Sequence, residues 1–273
     1  MIVDWVRNLL KKSSPRRLDR AAVLPWHCNL CGQANATVLG EIEREHGACS
    51  ACGSVMRFRS LMLALTERLH GKSTAMAALP PAKQIVGLGM SDSHTYAEHL
   101  QRLYHYTNTY YHCDPLLDIT DPAAHWLGVN DFVVSSDVFE HVPPPIQPAF
   151  DHLFRLLKPG GVLVFSVPFS LEETTVEHFP DLHDFHLRQD EQGGFVLCNT
   201  TREGLQQEFR DLVFHGGPGS TLELRLFSLA ALRRHLADAG FVDVRLHDQP
   251  DHRHGIDWTL PWGVTLTALR PRA

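Results

Sequence analysis

Between residues 84 and 169 short apolar runs that end in turn residues alternate with stretches whose apolar positions recur every three or four residues. That alternation predicts parallel strands joined by helices. Gln84–Leu88 runs into Gly87 and Gly89, Asn108–His112 ends at Asp114-Pro115, Asp131–Ser135 precedes Asp137, and Val162–Val167 follows Lys158-Pro159-Gly160-Gly161. Helices are predicted at His94–Leu103 and Pro148–Leu157. Further on, Ser228 suits the N-cap of a helix with the stripe Leu229, Leu232 and Leu236, and Gly240 ends it in the left-handed conformation that glycine tolerates. Phe241–Leu246 and Val264–Leu269 read as two final strands.

The rest of the chain divides around this block. Residues 1–25 form a basic arm, 26–60 a cysteine-rich module poor in large apolar residues, and 61–82 a helix and linker. Residues 83–273 form the main α/β domain, in which 170–225 is a polar insertion rich in His and Asp. A length of 273 residues accommodates one large and one small unit. The net charge of −6 argues against a general nucleic-acid binder. The basic cluster of Arg7, Lys11, Lys12, Arg16, Arg17 and Arg20 reads either as a solvated arm or as a docking site for an acidic partner. The longest apolar run, Gly161–Phe169, is half a membrane span, and no secretory signal pattern opens the chain. A cytoplasmic location with reduced thiols is therefore expected, and paired cysteines are read as metal ligands before disulfides.

Two such pairs exist. Cys28-x-x-Cys31 and Cys49-x-x-Cys52 lie seventeen residues apart, and Gly32 and Gly53 follow the second cysteine of each. Two intervening residues let both thiolates of a pair turn to one ion, and four thiolates close a tetrahedral zinc shell with no open position. A structural Zn2+ is the expectation, with two disulfides as the alternative. Cys113 and Cys198 read as small core residues on strands.

The run Ile85-Val86-Gly87-Leu88-Gly89-Met90-Ser91 resembles the first motif of class I S-adenosylmethionine-dependent methyltransferases, a glycine turn between the first strand and first helix. Ser135-Ser136-Asp137-Val138-Phe139-Glu140-His141-Val142 resembles the motif after the fourth strand in the ubiquinone-methyltransferase-like group, and Leu156-Leu157-Lys158-Pro159-Gly160-Gly161 the turn before its fifth strand. The resemblance implies a doubly wound, seven-stranded Rossmann-like sheet whose last strand is antiparallel, with the zinc ribbon at its N-terminus. It implies S-adenosylmethionine bound by Gly87, Gly89, Met90, Asp114, Asp118, Ile119, Ser136 and Asp137, with Asp114 on the ribose and Asp118-Ile119 on the adenine side. Three features depart from the pattern, one of them Asp92, which stands where a third glycine or small residue is common. Val86 stands where an acidic residue is usual, and only sixteen residues separate Asp114 from Asp131, so the second crossover helix is expected to be lost.

Methyl transfer needs a positioned acceptor and, for oxygen or nitrogen, a proton acceptor. His141 beside the fourth strand, and His178 and His183 in the stretch 177–186, are the candidate catalytic residues, set against a bracing role for His141 and a solvated loop for the insertion. Phe214-His215-Gly216-Gly217-Pro218-Gly219 reads either as a ligand approach or as a plain turn. The expected activity is methyl transfer to a small-molecule or glycan-precursor acceptor. The alternatives are a degenerate fold that binds without turnover, and an RNA or protein methyltransferase steered by the ribbon.

Overall fold

The computed structural model describes residues 19–259 and 262–272. Most of the basic arm expected at 1–25 lies outside the described residues. The chain opens with a hairpin of β1 (Val23–His27) and β2 (Ala34–Val38), followed by α1 (Met56–His70). The core repeat is β3 (Val86–Met90), α2 (His94–Leu103), β4 (His105–Thr109), β5 (Asn130–Ser136), α3 (Gln147–Leu156) and β6 (Leu157–Ser166). The insertion is built of short strands: β7 (Phe169–Ser170), β8 (Val176–Glu177), β9 (Asp184–Gln189), β10 (Phe195–Thr200), β11 (Gln206–Phe209), β12 (Phe214–His215), β13 (Thr221–Leu222) and β14 (Arg225–Ser228). The chain closes with α4 (Leu229–Asp238), β15 (Val242–Leu246) and β16 (Leu266–Leu269).

The main sheet has six strands, in the order β15-β16-β6-β5-β3-β4, rather than the seven expected. The missing strand is the one that would lie beyond β4. The segment between β4 and β5 is too short for a strand with a crossover on each side, and among the described residues it forms only turns, a bridge and the 3-10 turn Ala124–Trp126. β4, β3, β5 and β6 run parallel, while β16 is antiparallel to both β6 and β15.

Both faces of the sheet are covered, which is why its strands read as nearly continuous apolar runs. Residues alternate along each strand: Val133, Leu163 and Phe165 face α3 and α4, packing with Leu153, Leu156, Leu232 and Leu236. Phe132, Val134, Val162 and Val164 face the other way, packing with Tyr96 and Leu100 of α2. Leu61, Met62 and Leu65 of α1 join that second core, together with Trp26, Cys28 and Cys49. The cysteine module therefore shares its core with the sheet, and the boundary expected at 60/61 falls inside α1. Arg59 fastens this joint. It is fully buried over the Trp26 ring, 4.2 Å away, and donates to the carbonyls of Ser54, Gly47 and Gly255.

The helix expected at His94–Leu103 is found there, with Ser93 as N-cap accepting from the Thr95 amide. Ser228 caps α4 by accepting from Ala231 N at 3.0 Å, as its position suggested. β4 begins and ends three residues earlier than expected. Its parallel register to β3, from Val86 opposite His105 to Met90 opposite Thr109, places Tyr106 and Asn108 inside and expels the strand-like Tyr110 and Tyr111.

Candidate active site

A cleft of about 1570 Å³ opens at the carboxyl ends of β3, β4 and β5, where doubly wound folds bind ligands. Met90 and Ser91 form one wall, Leu117–Thr120 a second, and Ser136–Val138 the floor. His141, and Phe185, His186 and His215 of the insertion, close the far side. Ser91 and Asp137 both hold positive φ (56° and 55°), so the turns after β3 and β5 bend sharply at the cleft.

The residues expected to hold the cofactor divide into two groups. Met90, Asp118, Ile119, Ser136 and Asp137 line the cleft. Gly87, Gly89 and Asp114 do not. Gly87 is needed because a Cβ there would collide with the Cζ, Cε1 and Cε2 tip of the Phe132 ring, and Gly89 because a Cβ would meet the Tyr106 hydroxyl and the Asp92 carboxylate. Both glycines are therefore required by packing within the sheet. The space left by Gly89 adjoins a buried triad in which Tyr96 and Tyr106 donate to Asp92 at 2.7 and 2.5 Å. Burial dominates there and pushes Asp92 up to about 7. Asp114 sits five residues past the end of β4 on an exposed turn, because β4 stops at Thr109. Cys113 is likewise exposed on that turn and not a core residue, while Cys198 is half-buried on β10 and accepts from Arg188 Nε at 3.2 Å.

The polar floor carries a contribution that the sequence concealed. Asp137 Oδ1 accepts from Arg44 Nη2 at 2.6 Å, Arg57 Nη1 lies 3.4 Å from Oδ2, and the same nitrogen donates to Ser136 Oγ at 2.5 Å. Both arginines come from the cysteine module and the start of α1, and Arg44 lies against the Trp262 ring, 5.4 Å from its centroid. Burial alone would raise Asp137, but the two guanidiniums hold it below the usual carboxylate range. The N-terminal module thus supplies part of the cleft wall.

Opposite this floor, the insertion docks on the turn Phe139–His141. Leu224 N donates to Glu140 O at 2.8 Å, and His141 Nδ1 donates to Leu222 O at 2.8 Å. Arg225, fully buried, donates to the carbonyls of Phe139 and Val142 and to Glu177. The hairpin β12–β13 brings His215 to His141, their rings edge to face at 4.7 Å. Burial lowers the pKa of His141, keeping its ring neutral near pH 7. Glu140 lies beneath both rings with no exposure, and burial and the Asp137 carboxylate push its pKa well up.

Of the expected histidines, His141 lines the cleft; His178 instead bonds Glu223 Oε1 at 2.8 Å behind it, and His183 is exposed on the outer side. His186, from the same stretch 177–186, and His215, from the candidate run 214–219, take the places facing the cleft. The segment 214–219 that stood between ligand approach and plain turn delivers His215 and Gly216 to that wall, with Ser220 following just after it.

At the other end of the cysteine module, the four thiols converge. Cys28 Sγ is 3.6 Å from Cys52 Sγ, and Cys31 Sγ is 3.7 Å from Cys49 Sγ. Zinc–sulfur bonds of about 2.3 Å at tetrahedral angles give sulfur separations of about 3.8 Å, so the set fits one ion. Gly32 and Gly53 close the two knuckles at positive φ, their amides donating to the Cys28 and Cys49 carbonyls at 2.8 and 2.9 Å. Asn35 Nδ2 points at Cys49 Sγ from 3.5 Å, an outer donor of the kind that supports thiolate ligands. No helix among the described residues is long and apolar enough to cross a membrane.

Comparison with solved structures finds similar folds at low identity. The 1,6-didemethyltoxoflavin-N1-methyltransferase of Burkholderia thailandensis, solved with 1,6-didemethyltoxoflavin and S-adenosylhomocysteine, is 15% identical over 78% of this chain and 78% of that one, with a TM-score of 0.43. The sugar N-methyltransferase KedS8 of Streptoalloteichus is 14% identical over 80% and 87%, with a TM-score of 0.44. The amino pentose methyltransferase CalS10 of Micromonospora echinaspora, solved with S-adenosylmethionine, is 16% identical over 68% and 83%, with a TM-score of 0.39. Those ligands belong to those proteins. No curated protein matches the sequence. A family model described as a methyltransferase domain matches residues 92–246, from the turn after β3 to the end of β15 and through the insertion. With more than half of its residues matched by that model, the chain belongs to the methyltransferase-domain family and is an enzyme of that class.

Proposed function

We propose that the protein transfers a methyl group from S-adenosylmethionine to a small-molecule or glycan-precursor acceptor, and that it stands near the ubiquinone-methyltransferase-like group. The observation that carries this reading is that one cleft joins Met90, Ile119 and Ser136–Asp137 at the strand ends to His141 and His215 on the insertion side. When bound, the cofactor supplies an electrophilic methyl on a sulfonium sulfur. Met90 and Ile119, both buried, offer apolar surface to the adenine, and Asp118 is the carboxylate on that wall able to accept from ribose hydroxyls. Asp118 already accepts from Thr120 Oγ1 at 2.7 Å and from its amide at 2.8 Å, which fixes its rotamer. Asp137, paired with two arginines, sets the polar end. The His141 and His215 rings line the cleft on the acceptor side, each held by one nitrogen bonded to a fixed partner. The four cysteines hold a structural zinc whose work is to shape the wall bearing Arg44 and Arg57. The expected setting is the cytoplasm, where the thiols stay reduced.

A second reading, a degenerate fold that binds without turnover, draws on the placement of Gly87, Gly89 and Asp114 outside the cleft. Isothermal titration separates the two. S-adenosylmethionine and S-adenosylhomocysteine are expected to bind at one per chain, and Ile119→Arg to abolish both. Absence of heat with either ligand would remove the methyl-transfer reading.

A further inference from the structure

Glu140 presents an anomaly. Its carboxyl is fully buried and neither oxygen has a hydrogen-bond partner. A carboxyl group without hydrogen-bond partners in a protein interior is costly in either protonation state, so native structures rarely retain one unless something else satisfies it. Two imidazole nitrogens face it from just beyond hydrogen-bond range: His141 Nε2 at 3.7 Å and His215 Nδ1 at 3.6 Å from Oε1. All three ligand atoms lie within 4.8 Å of one another.

The outer bonds of the two rings fix their tautomers. His141 Nδ1 donates to the Leu222 carbonyl at 2.8 Å, which leaves Nε2 with its lone pair directed at Glu140. His215 Nε2 lies 2.8 Å from Glu223 Oε2, which leaves Nδ1 as the free lone pair. Glu223 is itself held through its other oxygen by His178 Nε2 at 2.8 Å, and although burial opposes it, the two histidine bonds lower its pKa to about 2. Both rings thus have one nitrogen anchored to a carbonyl or carboxylate and the other within 3.7 Å of the same Glu140 oxygen, the kind of outer anchoring that orients metal-binding histidines. Two atoms bound to one ion at about 2.0–2.1 Å lie about 3.3 Å apart. The observed gaps are a few tenths of an ångström wider, too long for hydrogen bonds and close to the span of an ion.

We propose that Glu140, His141 and His215 bind a divalent transition ion of the zinc class, distinct from the cysteine site, with its open coordination positions facing the cleft. Two imidazoles and one carboxylate make a three-ligand site, the kind that leaves room for a water or substrate oxygen. His141 and His215 line the cleft while Glu140 lies beneath them, so the open side is the acceptor side. The ligand class it would admit is an acceptor bearing a hydroxyl oxygen. Only this acceptor role rests on the methyl-transfer reading. The ion site rests on the geometry alone.

The test uses the full-length protein carrying zinc on its cysteines, titrated with Co2+ alone, followed by metal analysis of the gel-filtered protein. The expected result is one cobalt per chain beyond the zinc, with visible d–d bands and no sulfur-to-cobalt charge-transfer band. His215→Ala, at a half-exposed position, is expected to fold like the parent by melting and to lose the cobalt while keeping the zinc. Glu223→Gln is expected to retain the cobalt with affinity lowered about 10- to 100-fold. Uptake of no cobalt beyond the zinc would overturn the proposal. So would a charge-transfer band marking cobalt on the cysteines, or a folded His215→Ala that binds like the parent. Protein that binds cobalt but no S-adenosylhomocysteine would uphold this site and sink the methyl-transfer reading.

Discussion

Gly87→Ala separates packing from ligand contact in the glycine motif. An alanine Cβ at this position would meet three atoms of the Phe132 ring, the farthest only 2.5 Å away, whereas carbon atoms pack at about 3.5–4.0 Å. The ring must therefore retreat by about 1 Å or more at every one of those atoms, the difference between these figures. It has little room to do so. Phe132 is fully buried, with Tyr104 edge-on at 5.4 Å and Tyr106 stacked at 6.2 Å. Overpacking of a filled core costs about 1–3 kcal/mol, and a rigid aromatic neighbour puts Gly87→Ala at or above the upper end. Phe132→Leu removes the colliding atoms, so the double variant is expected to be more stable than the sum of the single losses by about 1 kcal/mol or more. Urea unfolding of the four proteins gives the cycle, and titration with S-adenosylhomocysteine below the transition gives affinity. The expected outcome is a destabilised Gly87→Ala that, while folded, binds within a few-fold of the parent. An undamaged stability with lost binding would refute the packing account and restore the glycine to the ligand.

Three further outcomes are expected. Replacing Arg44 with Met takes from Asp137 its nearest partner while Arg57 stays 3.4 Å away, a loss of about 1.5–3 kcal/mol for a hydrogen bond between charged groups, read as a lower midpoint in urea. Asp92, pushed up to about 7 in the fold from an ordinary value of 3.8, keeps its proton where the unfolded chain has lost it. The folded state therefore binds more protons between those values, so stability falls as pH rises from about 4 to 7 and levels off above. The slope of the parent minus that of Asp92→Asn isolates this group, and a difference curve that rises with pH would be wrong in sign. Protein purified under reducing conditions is expected to hold about one zinc on its cysteines, and its chelation or Cys28→Ser to lower one cooperative melting transition rather than a separate early one, because Cys28 and Cys49 share a core with Leu61 and Tyr96. A separate early transition would return the module to the status of an independent domain.

The parts of this molecule that depend on local patterning were readable in the chain. The apolar spacing of His94–Leu103 and the serine before it determine α2, and the Ser228 hydroxyl determines the start of α4. The sixteen residues between Asp114 and Asp131 signalled a shortened crossover, but the expectation drawn from them was a lost helix in a seven-stranded sheet, whereas a strand is lost as well. Other features depend on register or on distant partners. Asn108–His112 is as strand-like by composition as His105–Thr109, and only the pairing with β3 decides between them, which moved Asp114 off the strand end. Arg44 reaches Asp137 across 93 positions and His215 reaches Glu140 across 75, and no local pattern announces either. The clue available for the latter was a lone histidine before three glycines, on a hairpin whose docking is set by the carbonyls of Glu140 and Leu222.

The most direct test of the central claim is a crystal structure of the full-length protein with S-adenosylhomocysteine. The account expects the adenosyl group between Met90 and Ile119, within reach of Asp118, with the sulfur directed toward His141 and His215. Ligand bound at Asp114 or on the outer face of the sheet, or a cleft that stays empty at saturating ligand, would contradict it.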